Sequence, residues 1–247
     1  SLADEPAALR LDPAGNVYVT GRSVGAASGG DFLTVKYSSS GTQQWASRYD
    51  GPAHTSDGAT ALAIDAAGNV FVTGFSTDPA SKSDVLTVKY SASGLQQWAS
   101  RYNGPASKAD NASSITLDQS KNVYVAGFSE GAGTSEDFLL LKYDSTGSQL
   151  WVTTYNGPGN GNDRALCLAI DSDQRPIAAG FARGGAGNDE ITTMAFDSSG
   201  TRLWTAAAGG LGTNGSYASD LLVDPFGNIF VAGFGVAGYY LALRGVR

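Results

Sequence analysis

The chain has 247 residues, 42% of them hydrophobic, which is enough for a substantial core and too much for a disordered chain. A net charge of −7 with no cluster of Lys or Arg excludes a nucleic-acid binder, which needs a basic face to displace counterions, and no apolar run approaches the ~18 residues of a membrane span. Charged residues are only 16% and glycine is 33 of 247, against usual shares of ~25% and roughly 7%, so coiled coils and long charged helices are excluded in favour of many short strands joined by turns.

Three landmarks recur every 53 residues. Asp12, Asp65, Asp118, Asp171 and Asp224 form one series, Gly21, Gly74, Gly127, Gly180 and Gly233 a second, and Trp45, Trp98, Trp151 and Trp204 a third. Repeats in one register are the sequence signature of repeat architectures. They divide the chain into 6–58, 59–111, 112–164, 165–217 and a shortened 218–247, read together as a single domain, 1–247.

Each repeat runs through the same elements. In the second, Ala61–Asp65 is a short apolar run, Ala66-Ala67-Gly68-Asn69 a turn, and Val70–Gly74 a second run. A loop leads to Asp84–Tyr90, the turn Ser91-Ala92-Ser93-Gly94 follows, and Leu95–Tyr102 ends the unit. These are four strand-length segments with Gly-containing hairpin turns, and no helical period is sustained. The fold class expected is all-β, a β-propeller of five blades of four-stranded antiparallel sheets with the last blade incomplete. Blades packed face to face bury both faces of each sheet, which explains the unalternating run Asp137-Phe138-Leu139-Leu140-Leu141.

In the first repeat Asp12–Gly21, Asp31–Tyr37, Gly41–Trp45 and Arg48–Gly51 carry the pattern Asp-x-x-Gly-Asn-Val-Tyr-Val-Thr-Gly, Asp-Phe-Leu-x-x-Lys-Tyr, Gly-x-x-x-Trp and Arg-Tyr-Asp-Gly. This resembles the SBBP-type β-propeller repeat of bacterial exported proteins. The fourth repeat departs from it, with Gln174-Arg175-Pro176 in place of Gly-Asn-Val and Ala195 in place of the Lys. The resemblance implies an exported or cell-surface location and names no ligand.

Catalytic chemistry finds little to use. The one histidine, His54, lies in a connection between repeats, and no nucleophile elbow, P-loop or metalloprotease motif is present. One cysteine, Cys167, and one histidine cannot build the usual zinc sets, so no catalytic residue, metal or cofactor is expected. The Asp at each first-strand end fits a hairpin turn better than a calcium loop.

Three other groups are candidates for binding. Tyr49-Asp50, Tyr102-Asn103 and Tyr155-Asn156 open the crossover loops and offer an aromatic platform beside an amide or carboxylate, the make-up of a shallow sugar site. Asp4, Asp57, Asp110 and Asp163 recur before the first strand, as carboxylates at a channel mouth or as acceptors for the crossover backbone. The third group is the edge Tyr239, Tyr240, Leu241, Ala242 and Leu243, expected to be the unpaired outer strand of a three-stranded last blade and so open to strand addition. Lys36, Lys89 and Lys142 stand inside third strands and call for carboxylate partners, and Trp98 and Trp151 are expected in the core. The function expected is a non-enzymatic exported or cell-surface scaffold or protein-interaction module. Its partner is another protein or a neighbouring copy, and a multivalent carbohydrate-binding propeller is the alternative.

Overall fold

The structure, a computed structural model, describes residues 4–25, 29–78, 80–208 and 215–235. These residues hold strands and no helix. The first sheet is β1 (Asp4–Leu11), β2 (Val17–Val24), β3 (Gly30–Tyr37) and β4 (Gln43–Tyr49). The second is β5 (Asp57–Ile64), β6 (Val70–Asp78), β7 (Ser81–Tyr90) and β8 (Gln96–Tyr102). The third is β9 (Asp110–Leu117), β10 (Val123–Glu130), β11 (Glu136–Tyr143) and β12 (Gln149–Tyr155). The fourth is β13 (Arg164–Ile170), β14 (Pro176–Arg183), β15 (Asp189–Phe196) and β16 (Arg202–Ala208), and β17 (Ser216–Val223) and β18 (Ile229–Gly235) pair as the described part of a fifth. In each sheet the strands lie side by side in chain order. The expected third strand of the last repeat, with Tyr239, Tyr240, Leu241, Ala242 and Leu243, lies outside the described residues.

Contacts divide the chain into two compact units, residues 1–115 with 146–148, and residues 116–145 with 149–247.

Each landmark has a physical reason. The Asp ending the first strand is a turn acceptor: Asp12 Oδ1 takes the amides of Ala14 and Asn16 at 3.0 and 2.9 Å, and Oδ2 takes the Asn16 side chain at 2.7 Å. Asp65 repeats all three bonds, Asp118 the two from Asn122, and Asp171 and Asp224 take the amides at the same two offsets. The glycine series faces a bulge. Gly74 stands opposite Ala59 where the β5–β6 register slips, and Gly180 opposite Ala165 where β13–β14 slips. There the first-strand backbone comes so close that a Cβ would strike the carbonyl of Gly58 or Arg164.

Sheets pack face on face. Between the first two, Tyr18 and Phe32 bury against Leu62, Val70, Val72, Leu86, Val88 and Tyr90. Within the second unit, Ala126, Phe138 and Leu140 pack on Ala165, Ala178 and Met194, and Ile177, Ala179 and Ile191 on Ala218, Leu221, Ile229 and Val231.

The tryptophans flank the core. Trp98 and Trp151 are partly buried, and Trp151 packs against the core cluster of Ala126, Phe138, Leu140 and Ala165. Trp151 Nε1 donates to the Ser198 carbonyl of the following repeat at 3.0 Å, and Trp45 Nε1 to Ala92 at 3.1 Å. The turn glycine of that following repeat lies on the indole, so that a methyl group at Gly94 or Gly200 would stand 2.7 Å from Trp45 or Trp151. Each Trp thus fastens its sheet to the next hairpin turn. Trp151→Ala is expected to lower stability by about 2–3 kcal/mol, below the ~3–5 kcal/mol of a fully buried ring, read as a fall in the urea midpoint at unchanged slope.

Lys142 corrects an expectation. Lys36, Lys89 and Lys142 place their ammonium groups 5.0, 5.1 and 4.9 Å from the ring centroids of Tyr18, Phe71 and Tyr124. Lys142, which is buried, adds the Ser198 carbonyl at 3.4 Å. For this residue a ring and a carbonyl stand where a carboxylate was expected; a desolvated ammonium over a π face gains ~2 kcal/mol without burying a second charge.

Candidate functional site

The crossover loops do not present a row of open aromatic platforms. Tyr49, Tyr102 and Tyr155 end their strands on the side that faces Phe32, Val85 and Phe138 in register. Tyr102 is buried, Tyr49 packs at 6.3 Å on Phe32, and Tyr155 lies beneath the Arg202 guanidinium at 4.7 Å. Asn103 and Asn156 are exposed, and Asn156 donates to Asn160 at 2.6 Å. The last residue of each fourth strand pairs with the third strand and so shares its packed face.

The recurring carboxylates divide. Asp57, Asp110 and Asp163 are wholly buried, whereas Asp4 is exposed. Each buried one accepts the amide six residues before it: Gly51 at 2.7 Å, Gly104 at 2.6 Å and Gly157 at 2.6 Å. Asp57 also takes the Thr77 amide at 3.2 Å, and Asp163 the Arg183 amide at 2.6 Å. They tie the loop that links two repeats to the next second strand, as Asp side chains do at turns. Burial raises the Asp163 carboxyl above its ordinary value, and the two amides pull it back.

One carboxylate group belongs to the first repeat alone. Asp31, Asp50 and Asp57 bring one oxygen each within 4.8 Å of one another; Asn103 and Asn156 take the place of Asp50 in the next two repeats. The negative charge is answered from within, by Arg48 on Asp31 at 2.6 Å and by His54 Nδ1 on Asp50 at 2.6 Å. His54 has a left-handed backbone, φ 50°, in an exposed turn. Its hydrogen bond to Asp50 holds the imidazolium pKa above the ordinary 6.5. A group raised in the folded state contributes stability below its unfolded value and loses it as pH climbs through the folded one. The NMR titration of His54 is therefore expected to have its midpoint above 6.5, and Asp50→Asn to move it down; an unmoved midpoint would exclude the pair.

A different place stands out when the sheets are superimposed by register. Tyr18–Lys36–Trp45, Phe71–Lys89–Trp98 and Tyr124–Lys142–Trp151 each form a cross-strand row on one sheet face. In the fourth sheet the row is Ile177–Ala195–Trp204. The smaller side chains leave a cavity of about 420 Å³ inside the second unit, with this row as its floor and Arg175, Asp173 and Phe226 around it. Arg175 bonds to Asp171 at 2.7 Å and Asp173 at 2.9 Å, and Phe226, which stands where the earlier turns have Ala14, Ala67, Ser120 and Asp173, is 80% exposed. The departures at Gln174-Arg175-Pro176 and Ala195 are legible in the sequence, but only pairing across strands puts them beside Trp204 and Phe226.

Comparison with known proteins bears on the fold. No protein-family model matches the chain. An uncharacterized WD repeat-containing protein of Acanthamoeba polyphaga mimivirus is 24% identical over 196 residues, which are 61% of this chain and 14% of that protein. Among solved structures, a glucose dehydrogenase is similar at a TM-score of 0.54 and 13% identity, over 97% of this chain and 80% of its own. A polysaccharide lyase, an ulvan lyase, is similar at 0.55 and 14%, over 94% and 67%. A puromycin hydrolase mutant is similar at 0.54 and 13%, over 94% and 36%. At such identities the likeness speaks to the fold alone. The class these observations define is an all-β, propeller-like repeat protein built of four-stranded antiparallel sheets.

Proposed function

We propose that the chain is an exported or cell-surface propeller of the SBBP type, with five repeats of which the last is short, and that it serves as a non-enzymatic protein-interaction module. The observation that carries this reading is the pair of apolar faces open on the first and last described sheets. Leu9 and Leu11 are 51% and 63% exposed, whereas Leu62 and Ile115, at the position of Leu9 in the next two repeats, are buried. Phe230 and Phe234 are 39% and 58% exposed, whereas Phe71, Tyr124 and Ile177, at the position of Phe230, are buried. In the inner repeats the occupant of such a face is another sheet of the same kind, so a second copy of this chain is the partner that fits.

The polar inventory supports the non-enzymatic half. The recurrent aspartates are spent on backbone amides, His54 is committed to Asp50, and burial pushes the Cys167 thiol up to about 12, far from the thiolate a nucleophile needs. A photo-crosslinker at Phe230 is expected to trap a second copy, and the Phe230→Ser, Phe234→Ser double variant to lose the adduct. No protein adduct, together with selective binding on a glycan array, would replace this reading by the carbohydrate-binding one.

A further inference from the structure

The carboxylate group of the first repeat is joined by a buried hydroxyl. Asp31 and Asp57 are wholly buried, and Asp50, with a side chain 30% exposed, opens the group to solvent. Ser76 is 1% exposed and pairs directly with Asp57 across β5 and β6, so the two side chains share a sheet face. Gly51, the neighbour of Asp50, fixes how close they come: the point its Cβ would occupy lies 2.7 Å from Ser76 Oγ and 2.8 Å from Asp57 Oδ2. Three carboxylates and a hydroxyl thus converge where the crossover loop meets the second sheet.

The protein leaves two of these oxygens unmet. Arg48 donates to Asp31 Oδ2, and His54 Nδ1 bonds Asp50 Oδ2. The two Asp57 oxygens accept one amide each, and a carboxylate oxygen has room for a second partner. Asp50 Oδ1 and Ser76 Oγ are buried and have no hydrogen-bond partner among the described residues. The contrast with the equivalent hydroxyl of the first sheet is direct. There Ser23 Oγ accepts from Arg48 at 2.7 Å, whereas Arg101, the equivalent arginine, goes to Asp84, Asp78 and the Ser76 carbonyl. Buried oxygens left in this state are costly. Asp50 is also special to one repeat, with Asn103 and Asn156 at its place in the next two, whereas the aspartates that serve the fold recur.

We infer that Asp31, Asp50, Asp57 and the Ser76 hydroxyl form a binding site for one calcium ion, which enters past Asp50. The donors are all oxygen, the set a hard divalent cation takes. Carboxylate oxygens within 4.8 Å of one another can be spanned by one Ca²⁺ at ~2.3–2.6 Å from each. The ion supplies the partner that Asp50 Oδ1 and Ser76 Oγ lack and offsets the charge that Arg48 leaves unanswered. It ties β3, the crossover loop, β5 and β6 together at one point. The site goes beyond the interaction-module reading and does not depend on it.

The test uses the full chain freed of metal with EDTA. Calorimetry with CaCl₂ is expected to show one saturable site with a dissociation constant of about 10⁻⁴–10⁻³ M, the range of extracellular calcium modules. Asp50→Asn is expected to weaken binding about tenfold or more, because ligand charge sets the affinity. Ser76→Ala is expected to weaken it about three- to tenfold. Both variants carry a residue that another repeat has at the same place, Asn103 and Ala182, so cooperative unfolding in EDTA is expected to persist and shows that a lost site is not a lost fold. Absence of saturable binding to the native chain at millimolar Ca²⁺ overturns the site. Binding unchanged by Asp50→Asn overturns it too, since the ion then sits elsewhere on an acidic chain. Loss with Asp50→Asn but none with Ser76→Ala would place the ion at the exposed carboxylate alone and equally overturns the buried site.

Discussion

Gly180→Ala is expected to be among the most damaging single substitutions in the chain, although it adds one methyl group. The new Cβ would meet the Arg164 carbonyl at a separation no real Cβ shows, with the Arg164 carbonyl carbon and the Ala165 Cα close behind. All three are backbone atoms of β13, so no side chain can rotate away. Relief would require the bulge between Ala165 and Cys167 to open, and with it the pairing that places Ala165 in the core between the third and fourth sheets. A loss of about 3 kcal/mol or more is expected, the upper range for overpacking. Urea unfolding checks it, with Gly187→Ala as the comparison: Gly187 has nothing within 4 Å of an added Cβ, and its cost is the positive φ of 85° alone. Equal losses from the two would refute the close-approach argument.

Asp163→Ala is expected to cost a similar amount for a different reason. It removes both carboxylate oxygens of a wholly buried residue, Oδ2 accepting from the Gly157 amide and Oδ1 from the Arg183 amide, at 2.6 Å each. Each amide left without a partner costs ~1–3 kcal/mol, so a loss of about 3 kcal/mol is expected. Asp163→Asn should cost less, because it keeps one of the two acceptor oxygens, though its NH2 then faces the other amide, and it removes a buried charge that the raised carboxyl pKa marks as unfavourable. The order Ala worse than Asn separates hydrogen bonding from charge; the reverse order would mean that the ionised carboxylate itself holds the crossover. The fifth repeat has the neutral, buried Ser216 at this position.

The repeat made most of the fold legible. A 53-residue register with Asp, Gly and Trp landmarks marks where each strand starts and stops, and the hairpin role of Asp12 and its equivalents follows from a short side chain that can reach amides two and four residues on. Local chemistry of this sort is complete in the sequence because both partners lie within one turn. The place of Lys142 inside its strand also suggested a buried ion pair, and there the partner is a different one. The Trp151 indole stands at the edge of the core because its N–H serves the next repeat's turn, and Lys142 is buried beside a ring because its cross-strand neighbour is Tyr124.

The candidate sites divide along the same line. Tyr49, Tyr102 and Tyr155 read as loop aromatics in one dimension, but register with Phe32, Val85 and Phe138 turns them toward the packed face. The cavity over Trp204 needed three residues from three strands, Ile177, Ala195 and Trp204, to be recognised as one row. By itself the sequence determined the repeat, its strands and its turns, since these depend on residues close along the chain. Only the tertiary structure decided which faces lie open and where one sheet differs from its neighbours, because exposure and cavities depend on residues that pairing and packing bring together from distant positions.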